Sequence, residues 1–349
     1  MKPNYQKICQ DLIKDLPQRQ KDIVEQRFAL SAVASGEGGA ERKTLEAIGQ
    51  VYGITRERVR QIEEDGFSKI RPKLEKYQEV FQYFESEMQK FGGLRKEDIL
   101  LNSLAGQKFQ NQVFFLLTIG GKFQRFAENK IFHSLWAIDQ NSFIFAKEVL
   151  DFISKKLLEI NQPLSFTNLL EETNLKFKSL TPRALQSYLE ISKRIQPGIE
   201  GNYGLKDWPE INPRGVRDRA YLIFKKEKRP LHFAEVTRLI NNSKFEKISQ
   251  PPALLQTVHN ELIKDERFVL VGRGLYALGE WGYQPGVVKD VISMILQEEK
   301  KPLTREEIID RVLKQRMVKV NTVLLNLSHF PKTADGKYRF PGGKKPVLG

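Results

Sequence analysis

A chain of 349 residues with one cysteine, four histidines and three tryptophans has little material for several kinds of chemistry. Cys9 alone closes no disulfide within the chain, and on a helix-patterned segment it reads as a small buried hydrophobe. His133, His232, His259 and His329 are scattered singly, with no cysteine or second histidine at ligand spacing, so no metal is expected. Neither a nucleophile elbow nor a zincin helix is present. Gly36 to Thr44 brushes the phosphate-loop pattern, but Arg42 stands where the glycine before the lysine is required and no strand precedes it. Long apolar runs are missing too. Val113–Ile119 is among the longest, far short of the roughly 18 residues a membrane span needs, and the N-terminus lacks the apolar core of a signal peptide. These absences argue for a cytoplasmic chain that is not an enzyme and has no cofactor, small-molecule substrate or membrane partner.

Positive charge is in excess. The 57 Lys+Arg against 43 Asp+Glu give a formal net charge of +14, which favours a polyanion, nucleic acid ahead of membrane. The most informative stretch runs from Thr44 to Glu63. Ile48, Tyr52, Ile54, Val59 and Ile62 fall where two short helices crossing at a steep angle bury side chains. Gly49 lets the helices approach, Gly53 allows the turn, and Thr55 caps the second helix. At about 100° per residue, Val59 and Ile62 point inward, Glu57 and Gln61 lie opposite, Arg60 and Arg58 take the flanks, and Arg56 in the first turn reaches toward bases or phosphate. A carboxylate and an amide flanked by guanidiniums suit a helix in the major groove of duplex DNA. A solvated charged face would account for the Glu/Arg pairs but for neither the glycine nor the five apolar positions.

Residues 44–71, ending Glu63-Glu-Asp-Gly-Phe-Ser-Lys-Ile-Arg71, resemble region four of the primary sigma factors of bacterial RNA polymerase, the module that reads the −35 promoter element. Leu16-Pro-Gln-Arg19 and Ile23-Val-Glu-Gln-Arg-Phe-Ala-Leu30 resemble its first half, with Ala29 where the family usually has glycine. The resemblance implies base contacts by Arg56, Glu57 and Gln61, and phosphate contacts by Arg58 and Arg60. It also implies an approach of Thr44 and Leu45 to the DNA backbone, and docking of residues 12–30 on the flap of the polymerase large subunit. The connector Ser31–Lys43 is longer than the family's.

Beyond this module the chain repeats. Glu159-Ile-Asn-Gln-Pro163-Leu-Ser-Phe166, Glu227-Lys-Arg-Pro230-Leu-His-Phe233 and Glu299-Lys-Lys-Pro302-Leu-Thr-Arg305 each link two helical runs, with prolines 67 and 72 residues apart. Phe91-Gly-Gly-Leu94-Arg-Lys-Glu-Asp-Ile99 is a weaker first copy. Trp136, Trp208 and Trp281 mark the far ends, 72 and 73 residues apart. Four units of about seventy residues follow, each read as a helix, a Pro-Leu entry into a second helix, a third helix and two strands around a glycine: a winged helix. Residues 217–283, with Pro230-Leu-His-Phe, Val271-Gly-Arg-Gly-Leu-Tyr-Ala-Leu and Glu280-Trp281, resemble the HARE-type winged helix known from the delta subunit of bacterial RNA polymerase. The recurring tryptophans read as hairpin anchors.

Two readings of these units stay open. In one, each third helix enters a DNA groove and the hairpins touch phosphate through Arg273 or Lys337. In the other they dock proteins or act as spacers, since Gln256, His259 and Asn260 leave the third helix of the third unit polar but uncharged.

The expected fold is mainly α with small β-hairpins: a helix-turn-helix module (residues 1–75) and four tandem winged helices (76–142, 143–213, 214–285 and 286–349, the last with a basic tail). Residues 1–75 and 217–285 are each expected to fold alone. The expected function is sequence-specific reading of double-stranded DNA by the helix starting at Thr55, as a nucleoid-associated transcription regulator or sigma-like factor acting with core RNA polymerase. The alternatives are a polymerase accessory or interaction scaffold, and the specificity subunit of a DNA-modification or defence system.

Overall fold

The structure is a computed structural model, described for residues 3–31, 41–178, 180–243, 251–283, 285–299 and 301–341. Most of the connector, with the glycines of the phosphate-loop-like stretch, and the basic tail after 341 lie outside the described residues. Contacts gather the chain into two units, Met1–Lys206 and Asp207–Gly349. No described helix is long and apolar enough to cross a membrane, and no described group of three His, Cys, Asp or Glu residues is placed to hold a metal ion.

The first unit opens with α1 (Tyr5–Ile13), α2 (Gln18–Phe28), α3 (Leu45–Tyr52) and α4 (Arg56–Ile70), followed by a 3-10 turn, Arg71–Tyr77. Side-chain caps set the starts: Asn4, Thr44 and Thr55 accept from the backbone N–H three residues on, satisfying donors that a helix end leaves free. α2 ends on Ala29 in the left-handed conformation, φ 50°, the position where glycine is usual in the resembling family.

Next come α5 (Gln78–Gln89), β1 (Leu94–Lys96), α6 (Glu97–Ala105), α7 (Gln110–Ile119), β2 (Gln124–Phe126) and β3 (Leu135–Ala137), the strands forming an antiparallel sheet in the order β1-β3-β2. This order, with the last strand in the middle, recurs along the chain. After α8 (Gln140–Ile160), α9 (Phe166–Phe177) and α10 (Pro182–Ile191), β4 (Ile195–Pro197) pairs with β5 (Tyr203–Leu205), and Leu164 bridges to Tyr203.

The second unit has α11 (Gly215–Glu227), β6 (Leu231–His232), α12 (Phe233–Asn242), α13 (Leu255–Lys264), β7 (Phe268–Gly272) and β8 (Leu275–Leu278), in the sheet order β6-β8-β7. It continues with α14 (Val288–Glu299), α15 (Arg305–Gln315) and α16 (Val320–Leu327), where Tyr338 bridges both Leu303 and Lys332. Among the described residues an order of helix, strand or bridge, two helices and hairpin recurs four times, the first strand being a single bridge in the second and fourth copies and the hairpin also a single bridge in the fourth. The fold is mainly α with small hairpins.

The cores do not follow the repeat. One apolar cluster in the first unit joins Tyr5, Leu12, Phe28, Phe67 and Ile70 of the first four helices to Phe84, Leu101, Phe115 and Trp136 of the first winged helix. Phe28 sits among Phe67, Phe114 and Phe115 with ring centroids 5.1–6.1 Å apart. Residues 1–75 thus have no closed core of their own, contrary to the expectation of an autonomous module; a small satellite of Ile23, Ile48, Val59 and Ile62 is private to the helix-turn-helix. The second winged helix docks on the first through α10. Ser187 Oγ donates to the Leu94 carbonyl at 2.7 Å and the Tyr188 hydroxyl to the Gly92 carbonyl at 3.1 Å, and burial pushes that phenol up to about 12. In the second unit, residues 220–278 and residues 291–338 each close their own cluster.

Candidate nucleic-acid interface

Gly49 and Gly53 give the helix-turn-helix its angle. A Cβ on Gly49 would stand 2.6 Å from the Ile54 carbonyl oxygen, closer than real contacts allow, so α3 approaches the turn only without a side chain there. Gly53 takes φ 63° and closes α3, a conformation that costs other residues about 1 kcal/mol or more. On α4, Val59 and Ile62 are buried, whereas Arg56, Glu57, Arg58, Arg60 and Gln61 are all exposed. The helical spacing sorts these residues as the sequence does.

The exposed side chains are already paired. The Arg60 guanidinium donates to both oxygens of Glu57 at 2.7–3.1 Å, and this bonding holds the Glu57 carboxyl below the usual carboxylate range, keeping it a charged acceptor. Arg58 Nη1 donates to Gln61 Oε1 at 3.1 Å, which turns the amide toward that flank. Arg56 makes no side-chain bond among the described residues. Exposed pairs of this kind add only a few tenths of a kcal/mol each, so they exchange readily for other acceptors.

Thr44 caps α3 through the Ala47 N–H at 3.1 Å, and Leu45 is half-buried against the satellite core. The chain entering α3 is held by α2: Arg27 Nη1 donates to the Lys43 carbonyl at 2.8 Å, the Lys43 N–H donates to the Gln26 carbonyl at 3.2 Å, and Gln26 Nε2 donates to the Tyr52 hydroxyl at 3.1 Å. Arg27 also lies 3.5 Å from Glu63 of α4, whose carboxyl burial pushes up. Sequence reasoning missed this bracing, because residues this far apart share no period.

Of the two readings left open for the third helices, entry into a DNA groove does not fit the first unit. α7 is buried from Gln112 to Leu117 and again at Ile119, serving as the inner pillar of the shared core. α10 is buried on two faces, at Ala184, Leu185, Ser187, Tyr188, Leu189 and Ile191. The first wing is occupied as well: Phe132 bridges to Ser192, the His133 N–H donates to the Ile191 carbonyl and the Lys193 N–H to the Ile131 carbonyl. The physical reason is composition. A helix such as Val113-Phe-Phe-Leu-Leu117 has no polar face to offer water or DNA.

In the second unit the third helices face out but carry little charge. Leu254 at the cap of α13 and Leu255 and Ile263 within it are exposed beside Gln256, Thr257 and Asn260, and around α16 Met317, Val320 and Leu325 are exposed. Arg273 is exposed at the turn between β7 and β8, with no side-chain partner among the described residues. Lys337 is half-buried, with its ammonium 3.4 Å from Asp335. Trp136 is buried, while Trp208 and Trp281 are half-buried.

Comparison with known proteins places families on these elements. The model of Sigma-70, region 4 matches residues 12–72, which takes in all of α2, α3 and α4. The model of the HARE-HTH, a helix-turn-helix domain described from ASXL and restriction endonuclease proteins, matches residues 215–281, from α11 through β8. RNA polymerase sigma factor SigA of a Bacillus species is 36% identical over 62 residues, 18% of this chain. The match spans 15% of that relative's length. Two regions of the chain are thus similar to known domains, residues 12–72 to sigma-70 region 4 and residues 215–281 to the HARE-HTH.

Proposed function

We propose that this protein is a transcription factor that reads duplex DNA with α4 and works alongside bacterial RNA polymerase. The observation that carries the reading is the face of α4, where five charged or amide side chains point outward from a helix whose other side is buried, inside a region matched by sigma-70 region 4. In the bound state Arg56, Glu57 and Gln61 meet base edges, Arg58 and Arg60 leave their intrahelical partners for the two phosphate walls, and Thr44 and Leu45 approach the backbone at the start of α3. Arg273 and Lys337 are candidate secondary phosphate contacts. The role is recognition, not catalysis, and its place is the nucleoid. The five topological modules act as two bodies, the first presenting the reading helix.

Docking on the polymerase flap through residues 12–30 has to use the polar rim of that segment. Leu12, Ile13, Leu16, Val24, Phe28 and Leu30 are buried inside the protein's own core, and Lys14, Asp15, Gln18 and Arg19 remain exposed. A scaffold role for the second unit is favoured by the apolar residues exposed on α13 and near α16.

Two variants of the intact chain test the reading of DNA. Gln61→Ala is expected to lower the ratio of specific to nonspecific affinity by the roughly 1–3 kcal/mol that a good base contact supplies. Arg58→Ala is expected to weaken all duplexes alike and to reduce the salt slope by about one. Specific affinity unchanged in both would remove α4 from the interface.

A further inference from the structure

Arg42 stands two residues before the cap of α3 and is only half-buried, yet its Nη1 is shut away from water with no hydrogen-bond partner. Its guanidinium carbon lies 3.7 Å over the ring of Phe114 on α7. Phe114 in turn packs edge-on against Trp136 at 5.5 Å, and Trp136 Nε1 donates to Glu97 Oε2 at 3.0 Å. Glu97 is also held by Arg125, whose guanidinium lies 5.4 Å from the same Phe114 ring. Burial lowers the Arg42 pKa, and among its charged neighbours Glu97 alone opposes this, while Arg125 and Arg27 add to it. The groups that offset the burial of this cation, a ring face and a carboxylate, both belong to the first winged helix.

We propose that Arg42 is a positioning residue that ties the start of α3 to α7, so that reading by α4 depends on a helix that itself touches no DNA. This rests on the duplex-reading role proposed above. The peptide at residues 42–43 is gripped from two sides, with Lys43 held by Gln26 and Arg27 of α2 and Arg42 held by Phe114 of α7. Only the second grip reaches outside the helix-turn-helix module. The planar guanidinium is suited to a ring face, and lysine, a compact ammonium, is a poor substitute. The first winged helix, with its third helix and wing engaged inside the protein, thereby acts as the mount for the DNA-facing end of α3.

The test uses the intact chain with Arg42→Ala, Arg42→Lys, Phe114→Leu and the Arg42→Ala/Phe114→Leu double variant. Two readouts are followed: hydrogen exchange of the backbone amides of residues 44–48, and affinity for a selected and a random duplex over a range of salt. Both Arg42→Ala and Phe114→Leu are expected to speed exchange at the start of α3 and to lower specific affinity about five- to tenfold, the loss of one stacked cation contact. The double variant should be no worse than either single one, and the salt slope should stay as in the parent. Arg42→Lys should not rescue. If Arg42→Lys restores affinity and Arg42→Ala lowers the salt slope by about one, Arg42 is a phosphate contact and the proposal is wrong. Unchanged exchange in Arg42→Ala also overturns it. If the parent chain selects no duplex, the duplex-reading role fails, and the exchange data still decide whether Arg42 ties α3 to α7.

Discussion

The winged helix of residues 215–281 and the one of residues 78–137 share a strand order, yet they solve burial in opposite ways. The former closes its core from its own helices, with Phe224, Val236, Val258, Leu262 and Tyr276 meeting inside the unit. The latter finishes its core with Phe28, Phe67 and Ile70 of the sigma-like module. The difference lies in the third helix. α13 has a two-sided pattern, with Val258 and Leu262 in and Gln256, Thr257 and Asn260 out, so one partner surface is enough. α7 is apolar on all sides from Val113 to Leu117 and is buried throughout that stretch, and the N-terminal helices supply part of the cover. Identical topology therefore yields an outward-facing domain in one place and an internal scaffold in the other.

Core truncations sharpen the contrast most. Phe115→Ala and Phe224→Ala should each cost about 3–5 kcal/mol, but with different reach. Scanning calorimetry of Phe115→Ala is expected to show the transition of the first unit lowered and DNA reading lost with it. Phe224→Ala should lower only the transition of the second unit and leave reading intact. As an isolated fragment, 215–283 is expected to show a cooperative melt, and 1–75 is not. A cooperative melt of 1–75 alone would break the comparison.

A smaller effect is expected inside the helix-turn-helix. Gly49→Ala puts a Cβ 2.6 Å from a backbone oxygen, which has to be relieved by moving α3 against the turn, at a cost of about 1–3 kcal/mol as for other overpacked sites. Chemical denaturation should show the destabilisation, and specific duplex affinity should fall further than random duplex affinity.

Ala29→Gly should act in the other direction. Ala29 ends α2 at φ 50°, a left-handed site that costs a non-glycine residue about 1–2 kcal/mol. Replacement should raise the melting temperature of the first unit slightly, the net gain being reduced to at most about 1 kcal/mol by the extra freedom of glycine in the unfolded chain.

The smallest effect concerns acid. Asp11 accepts from Lys14, the Tyr77 hydroxyl and Lys76, and these bonds hold its carboxyl well below the usual range. A carboxylate with a depressed pKa in the folded state stabilises above its unfolded value, about pH 4, and loses that contribution as pH falls through the folded value. The difference in melting temperature between the parent and Asp11→Asn should be present at neutral pH and shrink below about pH 4. A difference that grows in acid would show that Asp11 is not held in this way.

Much of this architecture is legible in the residues. Gly49, Gly53, Thr55 and the spacing of Ile48, Val59 and Ile62 specify the helix-turn-helix, and the recurring Pro-Leu steps announce a repeating order of helices and short strands. What periodicity cannot convey is partnership. The run Val113–Leu117 announces that α7 is buried but not by what, and Ser187 and Tyr188 look like an ordinary helix face until β1 is seen beneath them. Arg42 reads as one more cation before a helix; its role depends on Phe114, seventy-two residues away and adjacent only in the folded chain. The outward face of α4 could be named from spacing alone because a helix fixes its own geometry, whereas the bracing behind it is a tertiary property.

The claim that α4 reads sequence is tested most directly by enriching random-sequence duplexes on the intact chain and sequencing what is retained, for the parent and for Gln61→Ala. The account predicts that the parent recovers one short motif, and that Gln61→Ala recovers the same motif with base preference relaxed at one position. No enrichment by the parent, or an identical motif from both, would contradict it.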